Sequence, residues 1–530
     1  MEALKMISQA LWFAIILVFG TFFFLFWRVA HSWWVSPNRV YRNLRENGFG
    51  GPTPSFPLGN ASEMRRKSSS NNEAEVVPSK NIISHDLHST VFPHFALWRK
   101  IYGKVFVYWL GTEPFLYVAD PEFLRRISVG VVGKSWGKPN VFRKDREPMF
   151  GNNSLTMVEG DDWVRHRRAI TPAFSKTNLE AMAWSMIEST NNMLDRWTTL
   201  VNSNKPFEID AERELTAITG EIIAKISFGI SYENGQKVFD KLKALQVALF
   251  KSNRLVGVPF SELFMDRKQT LKARNLGKEI DQILLSIITA RRKSIKENNC
   301  QGDLLGLLLK ANEENGEKGK MLTVRELIDE SKTFFFGGHD TTALALTWTL
   351  LLLALNQDWQ TQLREEIRDV IGDEVNFTCI AGLKKMGWVM NEVIRLYSPA
   401  PNIQRQTRED IKVIDKNMVI PKGTNIWIDV VGMNHDPSLW GNDVNDFKPE
   451  RFQNDVVYGG CSHKMGFLPF GFGGRMCVGR NLSTLEYKII LALILTRFSF
   501  TLSPNYRHSP STLLTLRPTY GLPLVMQPII

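Results

Sequence analysis

The sequence predicts a mainly α-helical protein with a smaller β region (class α+β), built as one large body behind an N-terminal membrane helix. Apolar residues recur with helical spacing through most of the chain, most clearly at 324–355 and 481–496. Strand-like segments are few and short, at 105–110, 115–118 and 426–431. We find no internal repeat and no linker within the body, so a single domain is predicted although the length would permit two.

The N-terminal run from Met6 to Trp27 contains no charged residue and is mostly apolar. At about 1.5 Å per residue it spans roughly the 30 Å hydrocarbon core of a bilayer. The alternative is a cleaved signal peptide, which would have a shorter apolar region and a small-residue cleavage site. We therefore predict a retained single-pass anchor in contact with membrane lipid. The positive-inside rule places the body in the cytosol, because the flank after the run is rich in arginine: Arg28, Arg39, Arg42 and Arg45.

Prolines and glycines concentrate between Gly50 and Gly59, where a helix cannot continue. We therefore divide the chain into an anchor at 1–30, a basic and Pro/Gly-rich elbow at 31–60, and a catalytic domain at 61–530. The polar segment at 65–75 is predicted to form a surface loop.

Composition restricts the partners and the compartment. The 530 residues carry a net charge of +11, which suits an anionic membrane surface or an acidic protein partner. No nucleic-acid-binding module is recognisable, so no nucleic acid is predicted as a partner. The four cysteines are scattered, which excludes a zinc spacing and a disulfide framework and indicates a reducing compartment.

Cys477 lies in a glycine-rich segment with the pattern Phe-x-x-Gly-x-Arg-x-Cys-x-Gly, complete from Phe470 to Gly479. The glycines permit tight turns around a flat, bulky group, and Arg475 offers a permanent charge for a carboxylate. Because a helix is predicted to follow, its dipole and free amides should favour a thiolate. A thiolate in such a cradle is suited to be an axial ligand of haem iron. The alternative, a buried structural cysteine, does not explain the full pattern.

Trp163 and Arg167 are four residues apart and therefore share one helix face. Their indole N–H and guanidinium could bind a haem propionate. Considered alone, the segment is better explained as a solvated basic helix, because Arg165, His166 and Arg168 surround them.

The predicted helix at 324–355 is interrupted by Gly337-Gly338-His339-Asp340-Thr341. Two adjacent glycines cost about 1 kcal/mol each relative to alanine and bring the backbone close to a ligand. Asp340 and Thr341 place an acid and an alcohol beside them, which are the groups that deliver protons during oxygen activation. A kinked core helix with two satisfied polar groups remains the alternative. His339 is interpreted as structural.

Glu392 and Arg395 are spaced to pair on one helix face. Such a pair is usually an exposed salt bridge that contributes little. A Pro-Glu-Arg-Phe segment follows later and contains Arg451.

Together these motifs resemble those of the cytochromes P-450, in the order that this family has them. The resemblance implies the cytochrome P-450 fold and haem b with Cys477 as its axial ligand. It also implies propionate binding by Trp163, Arg167, Arg405 and Arg475, and a structural triad of Glu392, Arg395 and Arg451. Asp340, where relatives often carry Glu, and Thr341 would relay protons. The segments 332–336 and 515–523 are similar to the plant microsomal clan that includes cytokinin and brassinosteroid hydroxylases.

The resemblance further implies a monooxygenase that inserts one atom of O₂ into a C–H bond of a hydrophobic small molecule. The substrate would be an isoprenoid, a hormone-like compound or a fatty-acid-derived one. Electrons would come from NADPH through a flavoprotein, the NADPH–cytochrome P-450 reductase, at the endoplasmic reticulum. The implied substrate pocket draws on Phe334, Gly337, Asn402, Ile403 and Leu513.

Two other functions remain compatible with these motifs. One is a haem-thiolate isomerase or dehydratase, against which the acid–threonine pair counts. The other is a non-catalytic haem sensor.

Overall fold

The computed structural model describes residues 2–65, 83–128, 135–200, 207–230, 232–250, 256–261, 267–297, 302–314, 322–372, 377–413 and 418–529. Most of the predicted loop at 65–75 therefore lies outside the described residues.

Helices dominate the described chain, which confirms the predicted class. They are α1 Glu2–Ala30, α2 Ser36–Glu46, α3 Leu87–Val91, α4 Pro93–Tyr102, α5 Pro121–Ser128, α6 Arg143–Phe150, α7 Gly160–Ile170, α8 Lys176–Leu200, α9 Ala211–Phe228, α10 Tyr232–Phe250, α11 Arg267–Lys296, α12 Leu304–Glu314, α13 Val324–Leu355, α14 Gln357–Ile371, α15 Phe377–Gly382, α16 Lys384–Leu396, α17 Val430–Asn434, α18 Pro437–Trp440 and α19 Arg480–Arg497.

The strands are β1 Val105–Leu110, β2 Glu113–Val118, β3 Trp136–Gly137, β4 Phe207–Asp210, β5 Asn402–Thr407, β6 Ile411–Lys412, β7 Val419–Ile420, β8 Asn425–Asp429, β9 Phe498–Leu502, β10 Pro510–Leu513, β11 Thr515–Pro518 and β12 Pro523–Pro528. The largest sheet has the order β1-β2-β8-β5-β3, in which only β2 and β8 run parallel. A three-stranded sheet, β4-β12-β9, and the hairpins β10-β11 and β6-β7 complete the β region.

The long helix α13 crosses the centre of the body. A capping box starts it, in which the Thr323 hydroxyl accepts from the amide of Glu326 and the Glu326 carboxylate accepts from the amide of Thr323. From Ala343 to Ala354 every residue is buried, so this half of the helix is covered on all sides. The predicted bounds of 324–355 are confirmed, and α19 differs from its prediction by one residue at each end.

The strand predicted at 426–431 is partly wrong. β8 ends at Asp429, whose side chain accepts from the amide of Gly432 and caps helix α17. Val430 and Val431 therefore belong to the helix, since a buried N-cap overrides their β propensity.

A single helix of the described residues is long and apolar enough to cross a membrane. Helix α1 contains this stretch, a π-helical turn at His31–Val35 follows it, and α2 continues to Glu46. Helical structure thus runs through the predicted anchor boundary at residue 30. The division into anchor, elbow and catalytic domain stays a prediction.

Candidate active site

The loop that carries Cys477 is shaped by its glycines. Gly471 and Gly473 have φ values of +78° and +62°, a region that residues with a Cβ rarely adopt. A short 3₁₀ turn, Gly473–Arg475, follows, and the amide of Cys477 donates to the carbonyl of Phe470 at 2.9 Å. The result is a tight turn that presents Cys477 shortly before helix α19.

The electrostatics at Cys477 differ from the prediction. Cys477 is exposed to solvent, yet desolvation by the surrounding chain raises the pKa of its thiol, while a hydrogen bond from the Gly479 amide and the charges of Arg167 and Arg480 act in the opposite direction. The expected depression by the helix terminus is thus outweighed by desolvation, because α19 begins three residues after the cysteine. Coordination to a metal ion by itself deprotonates a thiol, so it would give the thiolate that the neighbouring amide and arginines do not produce alone.

Trp163 and Arg475 stack beside this loop. The Arg475 guanidinium lies 4.8 Å from the centre of the Trp163 ring and donates to the carbonyl of Val158 at 3.2 Å. Burial and, to a smaller extent, the charge of Arg405 lower the pKa of Arg475 to about 10. Arg405, on β5, is buried, and burial lowers its pKa to about 10. A half-buried and a buried guanidinium thus lie close enough to repel each other.

Arg167 joins helix α7 to the cysteine loop, because its guanidinium donates to the carbonyl of Met476 at 2.8 Å. The solvated-helix alternative does not describe α7. His166 is fully buried, and its Nδ1 lies 2.6 Å from the Glu330 carboxylate of α13. Arg165 pairs with Glu326 on the same helix at 2.5 Å. These pairs hold α7 against α13, so that Trp163 and Arg167 have a fixed position.

Helix α13 continues through the two predicted glycines, which differ in their surroundings. Gly337 is exposed although its neighbours in the helix are largely buried, and a Cβ built there would meet nothing within 4 Å. Gly338 is different, because a Cβ there would come within 2.3 Å of Ile223 on α9. Gly338 thus permits close packing and Gly337 borders open space. The Thr341 hydroxyl, one turn on, donates to the carbonyl of Gly337 at 2.9 Å.

Asp340 is buried and held by the β10-β11 hairpin. It accepts hydrogen bonds from the Thr515 hydroxyl and from the Arg517 guanidinium, both at 2.7 Å. The acid expected to relay protons is therefore anchored in an ion pair that the sequence motif does not contain.

Glu392, Arg395 and Arg451 meet around the buried Glu392 carboxylate. Arg395 donates twice to Glu392, at 2.7 and 2.8 Å, and both side chains are fully buried. The Arg451 Nε lies 3.4 Å from the Glu392 carboxylate. Arg395 also donates to the carbonyls of Asn434 and Val444. The pair is thus a cross-link of several loops rather than an exposed salt bridge.

Comparison with known proteins decides the family. The family model described as "Cytochrome P450" matches residues 81–523. The chain belongs to the cytochrome P450 family. It is 36% identical over 509 residues to a cytokinin hydroxylase of Arabidopsis thaliana, covering 94% of this chain and 95% of that protein. It is 35% identical to cytochrome P450 709B1 of the same plant (97% and 96% covered) and 33% identical to cytochrome P450 714C2 of Oryza sativa subsp. japonica (99% and 100% covered).

The P450 family carries haem with a cysteine thiolate ligand, and the described residues fit that group. Buried cations of like sign are costly unless an anion compensates them. Arg405 is such a cation, since it is buried and its described hydrogen bond is to the carbonyl of Gln404. Its charge also lowers the pKa of Arg475 and of Lys138, so the three cations lie near one another. The two propionates of a haem are suitable anions, and the glycine turn at Cys477 leaves room for a flat ring.

The pocket residues expected from the P450 resemblance belong to three elements, α13, β5 and β10. Phe334 is on the same helix face as Gly337, one turn before it, and packs near Phe174. Ile403 of β5 lies 4.0 Å from a Cβ built on Gly471, so β5 passes beside the cysteine loop. The Asn402 amide oxygen accepts from the Gln404 side chain at 2.9 Å, and the Leu513 carbonyl accepts from Gln246 of α10 at 2.9 Å. Their contact with substrate stays a prediction.

Sequence reasoning missed the two partners of Asp340 and a buried carboxyl group in α19. The segment containing Thr515 and Arg517 was used only to compare the chain with the plant microsomal clan. Nothing in the spacing of these two residues indicated that they bind Asp340. Glu486 of α19 is also buried, and burial raises its pKa well above the usual range. Its local signal was the i+4 spacing from apolar Leu482 and Ile490, which places the carboxyl on the core face.

Proposed function

We propose that this chain is a haem-thiolate monooxygenase that inserts one oxygen atom of O₂ into a C–H bond of a hydrophobic small molecule, with electrons from NADPH delivered by a flavoprotein reductase. Membership of the P450 family and its plant hydroxylase relatives supports the reaction class. The observation that carries the proposal is the Cys477 turn with Arg167 and Arg475 packed around it.

Each of these residues has a proposed task. Cys477 ligates the iron, and Arg405, Arg475, Trp163 and Arg167 hold the haem and its carboxylates. Phe470 and Gly479 shape the turn. When bound, the haem supplies the centre that activates O₂, and its thiolate ligand favours O–O cleavage.

Proton delivery is proposed for Asp340 and Thr341. The Thr341 hydroxyl lies beside Gly337, which borders open space, and would donate the proton. Asp340 would return a proton to that hydroxyl by way of water. The ion pair with Arg517 holds the Asp340 carboxyl in a fixed position, so that it exchanges protons without a conformational change.

The substrate class is proposed from the lining and from the relatives. Phe334, Ile403 and Leu513 offer apolar surface, and Asn402 is the polar handle. An isoprenoid or hormone-like compound is the first expectation, and a fatty-acid-derived compound is the alternative. The named activity of the cytokinin hydroxylase relative supports the first by analogy alone.

The proposed location is the endoplasmic reticulum membrane, with the body in the cytosol, where an NADPH–cytochrome P450 reductase could reach it. The candidate span and the arginines that follow it support this orientation. Basic groups near Cys477, Arg480 among them, would favour an acidic partner surface.

The test has two stages. The full-length protein, reduced and exposed to carbon monoxide, is expected to show the far-shifted Soret band of a thiolate-ligated haem, and Cys477→Ser is expected to lose it. With reductase, NADPH oxidation should then rise on addition of plant metabolite extracts, and mass spectrometry should detect a product 16 Da heavier.

Two results would contradict the proposal. A normal Soret band together with NADPH-independent rearrangement of lipid hydroperoxides would identify an isomerase or dehydratase. Normal haem with no oxygen consumption across the lipophilic fractions would favour a haem sensor.

A further inference from the structure

A cavity of about 600 Å³ lies away from Cys477, between the segment that follows α1 and the large sheet. Its volume is within the roughly 300–1,000 Å³ typical of ligand pockets. The walls come from separate parts of the chain: the start of α2, the β1-β2 turn and the segment before β8. The residues that matter for its chemistry are Ser36, Asn43, Thr112, Glu113, Lys422 and Thr424.

The cavity is at the level where a membrane surface would be. The uncharged run ends at Trp27, and the lining begins at His31, about one helical turn later. A helix that crosses roughly 30 Å of hydrocarbon with its apolar run places the next turn among lipid headgroups. The Trp33 indole donates to the carbonyl of Pro259 at 3.0 Å and fixes this segment to the body.

The lining offers groups that suit a phosphate ester. The Lys422 ammonium supplies a positive charge, and the Ser36 hydroxyl and the Asn43 side-chain amide supply hydrogen-bond donors. The Thr112 and Thr424 hydroxyls already donate to the carbonyls of Gly257 and Pro421. Outside the cavity, Arg39 and Arg42 are exposed on the same helix as Asn43. Such cations favour a surface that carries phosphate groups.

Glu113 adds a negative charge to the same lining. Its described hydrogen-bond partner is the Asn425 amide, 3.4 Å away, and burial raises the pKa of the carboxyl. Among the residues that the structure describes, no lysine or arginine forms an ion pair with Glu113. A ligand that brings its own cation would compensate this carboxylate.

The kind of cation follows from the lining. The described residues that line the cavity include no tryptophan, tyrosine or phenylalanine, so they form no aromatic cage for a quaternary ammonium. A primary ammonium, which donates three hydrogen bonds, is the better match to a carboxylate and an amide oxygen.

We propose that this cavity binds the phosphoethanolamine headgroup of a membrane phospholipid, with the ammonium on Glu113 and the phosphate on Lys422, Ser36 and Asn43. The lipid would fix the angle between the anchor and the body. This site is separate from the monooxygenase reaction, so either assignment can fail without the other.

The test measures lipid retention by native mass spectrometry. Full-length protein is reconstituted in nanodiscs of equal parts phosphatidylethanolamine, phosphatidylcholine and phosphatidylglycerol, then released into detergent. The protein is expected to retain phosphatidylethanolamine at least about fivefold over either competitor. Glu113→Gln and Lys422→Gln are each expected to reduce that preference about fivefold or more.

Matched controls are Glu180→Gln and Lys176→Gln, which change exposed groups on α8 and should retain the lipid as the unmodified protein does. Lys422 is exposed, so its substitution tests the site even if Glu113→Gln impairs folding. Equal retention of the three lipids, or unchanged retention in both cavity variants, would overturn the proposal. Soluble phosphoethanolamine that displaces the lipid at equal concentration would overturn the assignment to a membrane lipid.

Discussion

Thr341 illustrates how a single side chain can be placed by its local sequence. Its hydroxyl donates a hydrogen bond to the Gly337 carbonyl, and Gly337 borders open space. The hydroxyl can therefore exchange that carbonyl for a water molecule in the site. The two glycines before it differ in role, since only Gly338 is required for packing against α9.

Thr341→Ala is expected to retain haem but to lose coupling, with at least about tenfold less product for each NADPH consumed and correspondingly more hydrogen peroxide. Product, NADPH and peroxide are measured together in the reductase-supported assay. Thr347→Ala is the matched control, because that hydroxyl makes the same bond to the carbonyl four residues earlier. Equal coupling in both variants would remove Thr341 from the proton relay.

Glu486 makes a residue-scale prediction about pH. Burial raises its folded-state pKa well above the usual range, and one of its oxygens has no hydrogen-bond partner among the described residues. The folded state therefore keeps a proton that the unfolded chain has released, and the free energy of unfolding falls as pH rises above about 4.5, by up to about 1.4 kcal/mol per unit from this group.

Glu486→Gln should remove this dependence. Between pH 6 and pH 8, the free energy of unfolding of the variant is expected to gain more than about 1 kcal/mol relative to that of the unmodified protein. Urea unfolding followed by tryptophan fluorescence at both pH values measures it. Glu365→Gln, a change at an exposed position, is the control and should show the same pH dependence as the unmodified protein. If the free energy of unfolding of Glu486→Gln also changes with pH as that of the unmodified protein does, the Glu486 carboxyl is not buried as described.

At the scale of elements, the position of the candidate site depends on helices that are docked by buried polar pairs. Helix α7 contacts α13 through His166 and Glu330, and the Leu155 amide also donates to Glu330 at 2.6 Å. The hairpin β10-β11 contacts α13 through Asp340. These contacts hold the residues proposed to bind haem and to move protons in one frame.

His166→Ala is expected to destabilise the protein by about 3 kcal/mol, because it leaves the Glu330 carboxylate buried without its partner. The lower urea midpoint should be accompanied by weaker haem retention, since Trp163 and Arg167 are on the same helix. Arg168→Ala, an exposed change on α7, should alter neither. If both variants unfold at the same urea concentration, the pair does not dock the helix.

For the whole molecule, the candidate span and the cationic flank after it suggest an orientation. In sealed microsomes, added protease is expected to digest the body without detergent, because the cytosolic face is outside. Changing Arg28, Arg39, Arg42 and Arg45 to glutamate should protect a measurable fraction of the chains. Protection of the unmodified body would contradict the proposed orientation.

Much of the fold could be predicted from local patterns. The bounds of α13 followed from apolar periodicity, and the cysteine loop from its glycines and arginine. The end of β8 could not be predicted, because Val430 and Val431 favour a strand and only the buried cap of Asp429 turns them into a helix. The pKa of Cys477 was also misjudged, since the desolvation that dominates it depends on distant packing.

The sequence by itself determined the family, the cysteine proposed as the haem ligand and the N-terminal segment able to span a membrane. Each of these depends on residues close together in the chain, within one turn or one helix. Only the tertiary structure decided that Asp340 is bound by Arg517, that α7 is not solvated, and that Glu113 and Lys422 line one cavity. The members of each pair are separated by many residues in the chain. Their interaction energies depend on burial and on which side chain lies opposite, and neither can be derived from periodicity or spacing.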